Sequence, residues 1–345
     1  MSLEYNKIVI TGGNGFIGCN AADFFASKAE KITIIDNYSR KGCKDNEEWL
    51  KQSHSNINFV NADISKDFEV LKKEFFESDA VIHLAAQVAV TTSVKDPRAD
   101  FNDNAIGTFN VLEAARTSAD NASILFSSTN KVYGGMESIE IIEGNERYSY
   151  KDFPNGISES SVLDFHSPYG CSKGAADQYT RDYSRIYGLN TTVFRQSCIY
   201  GKRQFGVEDQ GWVAWFTIAS VLNKSITIYG DGKQVRDVLY VDDLLKAYEL
   251  ALKNKNKAKG KIFNTGGGPK NTLSLLELIK LLEQFNGRKI NFSFSDWRPG
   301  DQPVYVSDIK KIKNELNWSP STNAEQGIKQ LFDWVKENKM LFKDF

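Results

Sequence analysis

Tyr169 and Lys173 stand four residues apart in the stretch Phe165-His166-Ser167-Pro168-Tyr169-Gly170-Cys171-Ser172-Lys173. On a helix that spacing sets both side chains on one face, within reach of each other. A phenol beside an ammonium is useful chemistry. A free tyrosine has a pKa of about 10, and a nearby positive charge favours the phenolate. Such a tyrosine can take a proton from an alcohol near neutral pH. The local sequence predicts the helix: Ser167 caps it, Pro168 suits its first position, Ala175, Ala176 and Gln178 propagate it, and Gly188 ends it. Two solvated residues on a surface helix share the same spacing, so the pair alone decides nothing. Tyr229 and Lys233 repeat it, but the intervening Gly230 and Gly232 predict a turn.

The elements that would position the pair follow a rhythm. Lys7-Ile8-Val9-Ile10-Thr11 reads as a buried strand, followed at once by Gly12-Gly13-Asn14-Gly15-Phe16-Ile17-Gly18, a helical pattern through Phe25, and a second strand, Ile32–Ile35, ending at Asp36. In such a βαβ unit Gly12 permits the tight turn, Gly15 lets backbone approach a pyrophosphate, and Gly18 lets helix and strand pack closely. Asp36 lies 18 residues past Gly18, the place for an acid on ribose hydroxyls, which selects NAD over NADP. Arg40 nearby is either a cofactor contact or a solvated loop cation. Further strands are expected at 57–60, 80–84, 123–127 and 191–194, with a helix over 101–116. This alternation predicts an α/β fold, a doubly wound parallel sheet of the Rossmann type with ligands at the carboxyl ends of its strands. Just past those ends stand Asp63, a contact for adenine or a helix cap; Ala85, Ala86 and Gln87, small enough around the alanines for a cofactor to pass; and the hydroxyls of Ser127, Ser128 and Thr129.

Composition narrows the classes. The 345 residues suffice for one or two domains, and 41% hydrophobic with 25% charged residues is ordinary for a globular chain. A net charge of −1 gives no reason to expect nucleic acid. No signal peptide or membrane-length apolar run is read, so a cytoplasmic protein without a membrane partner is expected. Cys19, Cys43, Cys171 and Cys198 are scattered and the chain has 3 histidines, so neither a disulfide framework nor a metal site is expected.

Taken together, these pieces resemble the extended short-chain dehydrogenase/reductase family, the nucleotide-sugar epimerases and dehydratases. The match is carried by Thr11 to Gly18, Asp36-Asn37, His83-Leu84-Ala85-Ala86, Ser127-Ser128-Thr129, Val132-Tyr133-Gly134, Ser167 to Lys173, and Arg236-Asp237-Val238. The resemblance implies a catalytic triad of Thr129, Tyr169 and Lys173. In it the tyrosine is the acid/base, the lysine lowers its pKa and holds the nicotinamide ribose, and the threonine binds the reacting hydroxyl. It extends the NAD contacts to Phe16, Ile17, Asn37, Ser39, Ile64, Leu84 and Asn104. The family's dehydratases carry Thr-Asp-Glu where this chain has Thr129-Asn130-Lys131, which argues against water elimination. Asn37 to Gly42, Gln87 to Ser93, Leu163 to Tyr179 and Asp209-Gln210-Gly211-Trp212 are similar to the branch that inverts C2 of a CDP-linked dideoxy sugar. A C4 epimerase of a UDP-sugar, a dehydratase or reductase, and a non-catalytic NAD-responsive binding protein are the alternatives.

After Arg195 the rhythm loosens, which divides the chain into a cofactor domain, 1–195, and a smaller α/β lobe, 196–345, for the nucleotide sugar, with later segments returning to the main sheet. Gln210, Trp212, Arg236 and Arg298 are the substrate candidates here. The two arginines are assigned to the diphosphate by resemblance, and an arginine fork suits that ligand. Trp212 is read as a base-stacking or a core residue, on a helix over 211–222, and an amphipathic helix is expected over 271–285. Cys198 stands where many family members have Asn, at a position that often contacts the sugar. A homo-oligomer, dimer or tetramer, is implied by resemblance alone.

Overall fold

The computed structural model describes residues 3–298 and 300–343; Pro299, inside the loop that carries Arg298, lies outside the described residues. Seven strands form one parallel sheet: β1 Tyr5–Thr11, β2 Ala29–Asp36, β3 Ile57–Asn61, β4 Ala80–His83, β5 Ser123–Thr129, β6 Asn190–Gln196 and β7 Lys261–Thr265. Their spatial order is β3-β2-β1-β4-β5-β6-β7. The order reverses between β1 and β4, and a crevice opens there at the carboxyl ends. The first six strands lie where their apolar runs predict. The seventh is a later segment returning to the sheet, as expected, but its place was not read: only Ile262 and Phe263 carry an apolar signal, in a stretch that follows the lysine-rich run and pairs with a strand more than sixty residues earlier.

Both faces of the sheet are covered, which is why its central strands carry buried apolar runs. Helix α1, Phe16–Ala26, and the helix Val241–Lys253 bury Phe25, Leu244 and Tyr248 against one face; helices Phe68–Phe75 and Gly107–Ser118 bury Phe75, Val111 and Leu112 against the other. The helix expected over 101–116 begins at Pro97, passes through one wider π turn at Asn102–Ile106, and ends at Ser118.

The helix bearing the Tyr/Lys pair runs from Ser167 to Tyr187 and ends on Gly188 at φ +72°, where a left-handed residue is needed. Its start differs from simple capping. Ser167 itself takes φ +67°, a strained value for a non-glycine, and its Oγ accepts from the Gly170 N–H at 3.2 Å. Tyr169, Ser172, Lys173, Ala176, Asp177 and Thr180 form its buried face, at the three- and four-residue spacing of a helix.

The remaining segments form a second core. Strand Val235–Tyr240 pairs in parallel with Cys198–Tyr200 and Val304–Tyr305 and antiparallel with Thr272–Ser274; helices Trp212–Val221, Leu275–Asn286 and Ala324–Glu337 pack over it. The amphipathic helix expected from 271 starts only at Leu275, because Thr272–Ser274 is drawn into the sheet and Ser274 with Glu277 forms a capping box. Among the described residues no helix is long and apolar enough to cross a membrane, and no cluster of His, Cys, Asp or Glu could hold a metal ion.

Close packing around the first turn gives a direct test. A Cβ at Gly18 would press on the Gly12 carbonyl and lie 2.6 Å from the Gly13 Cα, both rigid backbone. Gly18→Ala is expected to cost about 1–3 kcal/mol of stability, read as a lower urea midpoint at unchanged slope, with less NAD retained on purification.

Candidate active site

A cleft of about 570 Å³ runs between the sheet's carboxyl edge and the second lobe. Its cofactor side begins at the glycine turn. Gly12 adopts φ +69° and its backbone passes against Leu84 and Ala85, so no side chain fits there. Gly15 occupies the N-cap of α1 and offers no capping side chain, and α1 carries no acid in its first turn. The helix therefore presents unpaired N–H groups and the positive end of its dipole to the cleft, an arrangement that suits a diphosphate. Gly12, Gly15, Phe16, Ile17 and Gly18 all line this wall.

Asp36, at the end of β2, ties the wall together. Its carboxylate accepts from the Asn14 N–H at 2.9 Å and the Tyr38 N–H at 2.8 Å. Burial pushes its pKa up, and those N–H bonds oppose the rise. Asn37, Ser39, Arg40, Asp63, Ile64, Leu84, Ala85 and Ala86 line the same side, where the sequence places them. Asp63 is not a helix cap, since Asp67 precedes the helix Phe68–Phe75; its carboxylate takes the Ser65 N–H and hydroxyl and the Lys66 amine, a local turn at the cleft edge. Arg40 is not a free loop cation. Its Nη1 donates to Gln210 Oε1 at 2.9 Å, bridging the two lobes across the cleft.

Two expected contacts lie elsewhere. Gln87 and Asn104 do not line the cleft; their amides converge on Asp100, at 2.9 and 3.1 Å. Asp100 also accepts from the Ser172 hydroxyl at 2.5 Å, and Asn104 donates to Ser172 at 3.0 Å. The arrangement has a physical reason. A buried carboxylate must be satisfied, and Asp100 is 1% exposed, so these amides are drawn to it and brace the Tyr/Lys helix from behind.

At the centre of the cleft stand Ser127, Ser128, Thr129, Tyr169 and Lys173, from the end of β5 and the first turns of the helix. Thr129 and Tyr169 are each 8% exposed and interact through their hydroxyls; Lys173 is 4% exposed. Lys173 Nζ donates to the Ser127 carbonyl at 2.6 Å and lies 4.3 Å from the Phe126 ring centre. The spacing argument has Lys173 lowering the phenol's pKa. Desolvation dominates instead: burial pushes Tyr169 up to about 12, opposed by the Thr129 hydrogen bond and Arg40, and burial pulls Lys173 down to about 7. The resting protein thus holds a protonated phenol and an amine poised to lose its charge near neutrality.

The far wall comes from the second lobe. Gln210, Trp212, Arg236 and Arg298 all reach it. Arg236 Nη2 pairs with Asp301 at 2.6 Å; Arg298 Nη2 pairs with Asp209 at 3.0 Å and lies over the Tyr229 ring, 3.9 Å from its centre. Cys198 accepts from the Trp212 indole N–H at 3.3 Å, and burial holds its thiol protonated. The discarded pair behaves as its glycines demand, Gly230 at φ +87° and Gly232 at φ +79°, although Tyr229 does line the cleft. Lys131 is the residue that sequence reasoning missed. It was read only as the absence of an acid, yet it stands in the cleft opposite Arg236. Its position two residues after Thr129 is the signal that was available.

Comparison with known proteins agrees with this layout. The profile of the family described as GDP-mannose 4,6 dehydratase matches residues 9–331. A CDP-paratose 2-epimerase of Salmonella typhi is 50% identical over 95% of this chain and 99% of its own length. The crystal structure of a UDP-glucose 4-epimerase from Thermotoga maritima with UDP-glucose superposes with a TM-score of 0.82 at 30% identity, covering 96% of this chain and 99% of that one. That of a dTDP-glucose 4,6-dehydratase from Streptomyces venezuelae with NAD bound gives 0.83 at 26% identity, covering 98% and 99%.

Proposed function

The chain belongs to the GDP-mannose 4,6-dehydratase family of NAD-dependent nucleotide-sugar epimerases and dehydratases, and from that membership we propose that it inverts C2 of a CDP-linked dideoxy sugar, interconverting CDP-paratose and CDP-tyvelose. The reading is carried by one observation: a Thr129/Tyr169/Lys173 centre in a chain 50% identical, over 95% of its length, to a CDP-paratose 2-epimerase. Asn130 and Lys131 replace the acid pair that elimination of water uses. In this scheme residues 1–195 hold the cofactor and residues 196–345 mainly hold the nucleotide sugar.

The cofactor is NAD. The bare N-terminus of α1 would hold its diphosphate, and Asp36 with Arg40 would hold its adenosine ribose. When bound, NAD would supply a reversible hydride acceptor for C2 and a positive charge near the phenol. The chain's own residues do the rest. Once its own proton has been released to solvent, Tyr169 as phenolate takes the proton of the C2 hydroxyl and later gives it back, while Thr129 hydrogen-bonds that oxygen. Lys173 orients the nicotinamide ribose and electrostatically supports the phenolate. Between the two transfers the 2-keto sugar presents its opposite face. No net oxidation occurs, so NAD stays bound through turnover.

We place the chain as a homo-oligomer, a dimer or tetramer, supported by exposed apolar side chains on two adjacent helices: Phe101, Ile106, Phe109, Tyr179 and Ile186. Its product would feed assembly of a bacterial surface polysaccharide such as O-antigen.

The test is an assay of CDP- against UDP-sugars with NMR to locate the inverted carbon. Inversion at C2 of a CDP-sugar without net NADH consumption is expected. Inversion at C4 of a UDP-sugar, loss of water, or NAD binding without conversion of any sugar would overturn the assignment.

A further inference from the structure

Lys131 stands where a substrate anion would meet the hydride-transfer centre. Its backbone N–H donates to Thr129 Oγ1 at 3.2 Å, so the lysine is anchored to the residue expected to hold the reacting hydroxyl. Its side chain crosses to the second lobe, where Nζ donates to the Gly300 carbonyl at 3.2 Å. Across from it lies Arg236, 7% exposed and already paired with Asp301. Two cations therefore face each other with one carboxylate between them, and Cys198, the remaining titratable neighbour, is a protonated thiol. Such a surplus of positive charge, on a buried arginine and a half-buried lysine, favours an anion. The amine keeps donors beyond the one spent on Gly300, and a phosphate oxygen is a strong acceptor for them.

Substrate chemistry says which anion. In a sugar nucleotide the diphosphate hangs from C1. C2 is the neighbouring ring carbon, whereas C4 lies across the ring. If Tyr169 and Thr129 act at C2, the first phosphate must come close to those residues, and the cation beside Thr129 is Lys131. We infer that Lys131 binds the sugar-proximal phosphate and so sets the register that presents C2, rather than a carbon across the ring, to Tyr169. An acid at this position, as dehydratases carry, would repel a phosphate held there. This assignment rests on the C2 reading above; Arg236 and Arg298 keep their separate expected role along the diphosphate.

The experiment uses the NAD-loaded wild type, Lys131→Met and Lys131→Arg, with CDP and cytidine as calorimetric probes and NMR of sugar turnover. Lys131→Met is expected to weaken CDP by about 10- to 100-fold, the loss of a charge-assisted contact, with cytidine affinity and NAD content unchanged. For the CDP-sugar, KM should rise more than kcat falls, and Lys131→Arg should restore most of the loss. The pH response supplies a second readout. Burial and then Arg236 pull Lys131 down to about 8, opposed by Asp301 and Cys198. CDP affinity of the wild type should therefore fall as pH rises through about 8, and that fall should be absent in Lys131→Arg. Unchanged CDP affinity in Lys131→Met, or an equal loss of cytidine affinity, overturns the assignment while C2 inversion by the wild type still stands. Inversion at C4 by the wild type overturns the C2 reading and the register claim together.

Discussion

Tyr169→Phe is expected to keep its NAD and lose turnover by about 10²–10⁴-fold, the usual worth of a positioned acid/base. The change removes one oxygen and leaves the ring that packs at the start of the Ser167–Tyr187 helix. Because the phenol is buried and protonated at rest, with its pKa pushed up to about 12, its ionised form exists only when charge is supplied beside it. The proton acceptor is thus made in the assembled complex, and phenylalanine abolishes it at every pH. NAD released on denaturation and sugar conversion followed by NMR are the two measurements. Full activity in this variant would refute the catalytic assignment. The same variant separates Tyr169 from Lys131, which is expected to act on KM.

Asp177→Ala is expected to destabilise the fold by about 3–5 kcal/mol, the cost of leaving a buried charge unpaired. Asp177 is fully buried and Arg195, at 2% exposure, reaches both of its oxygens, with Nε to Oδ2 and Nη2 to Oδ1 each at 2.9 Å. Ser128 donates to the same carboxylate at 2.7 Å. The cluster therefore joins the Tyr/Lys helix to β5 and β6 one turn beyond Lys173, and its loss loosens the element that positions the catalytic pair. Urea denaturation should show a lower midpoint, and turnover should fall even where the variant remains folded. Replacing both partners, Arg195→Met with Asp177→Leu, is expected to recover most of the stability, because no charge is then left stranded. Equal destabilisation by the double replacement would show that packing, and not the stranded charge, accounts for the loss.

What the sequence determined by itself is the material with a short-range physical cause. Apolar β-branched runs marked six of the seven sheet strands, since a strand covered on both faces must be apolar along its length. The glycines at 12, 15 and 18 marked the turn; at Gly12 and Gly18 the neighbouring backbone leaves no room for a Cβ. The four-residue spacing of Tyr169 and Lys173, and the stop at Gly188, follow from the helix period and from a left-handed terminus. The tertiary structure decided what depends on burial and on distant neighbours. Strand β7 was hidden because its partner lies far back in the chain. Gln87 and Asn104 turned from the cleft to Asp100, a choice set by the need to satisfy a buried carboxylate contributed from another segment. The opposed pKa shifts of Tyr169 and Lys173 arise from desolvation, which no spacing encodes. Lys131, Arg236 and Gly300 meet only because the second lobe folds back over the sheet's carboxyl edge. Local dihedral and packing preferences are written residue by residue, whereas the burial of Tyr169 and Lys173 is a property of the packed chain, and the electrostatics of the site follow from that burial.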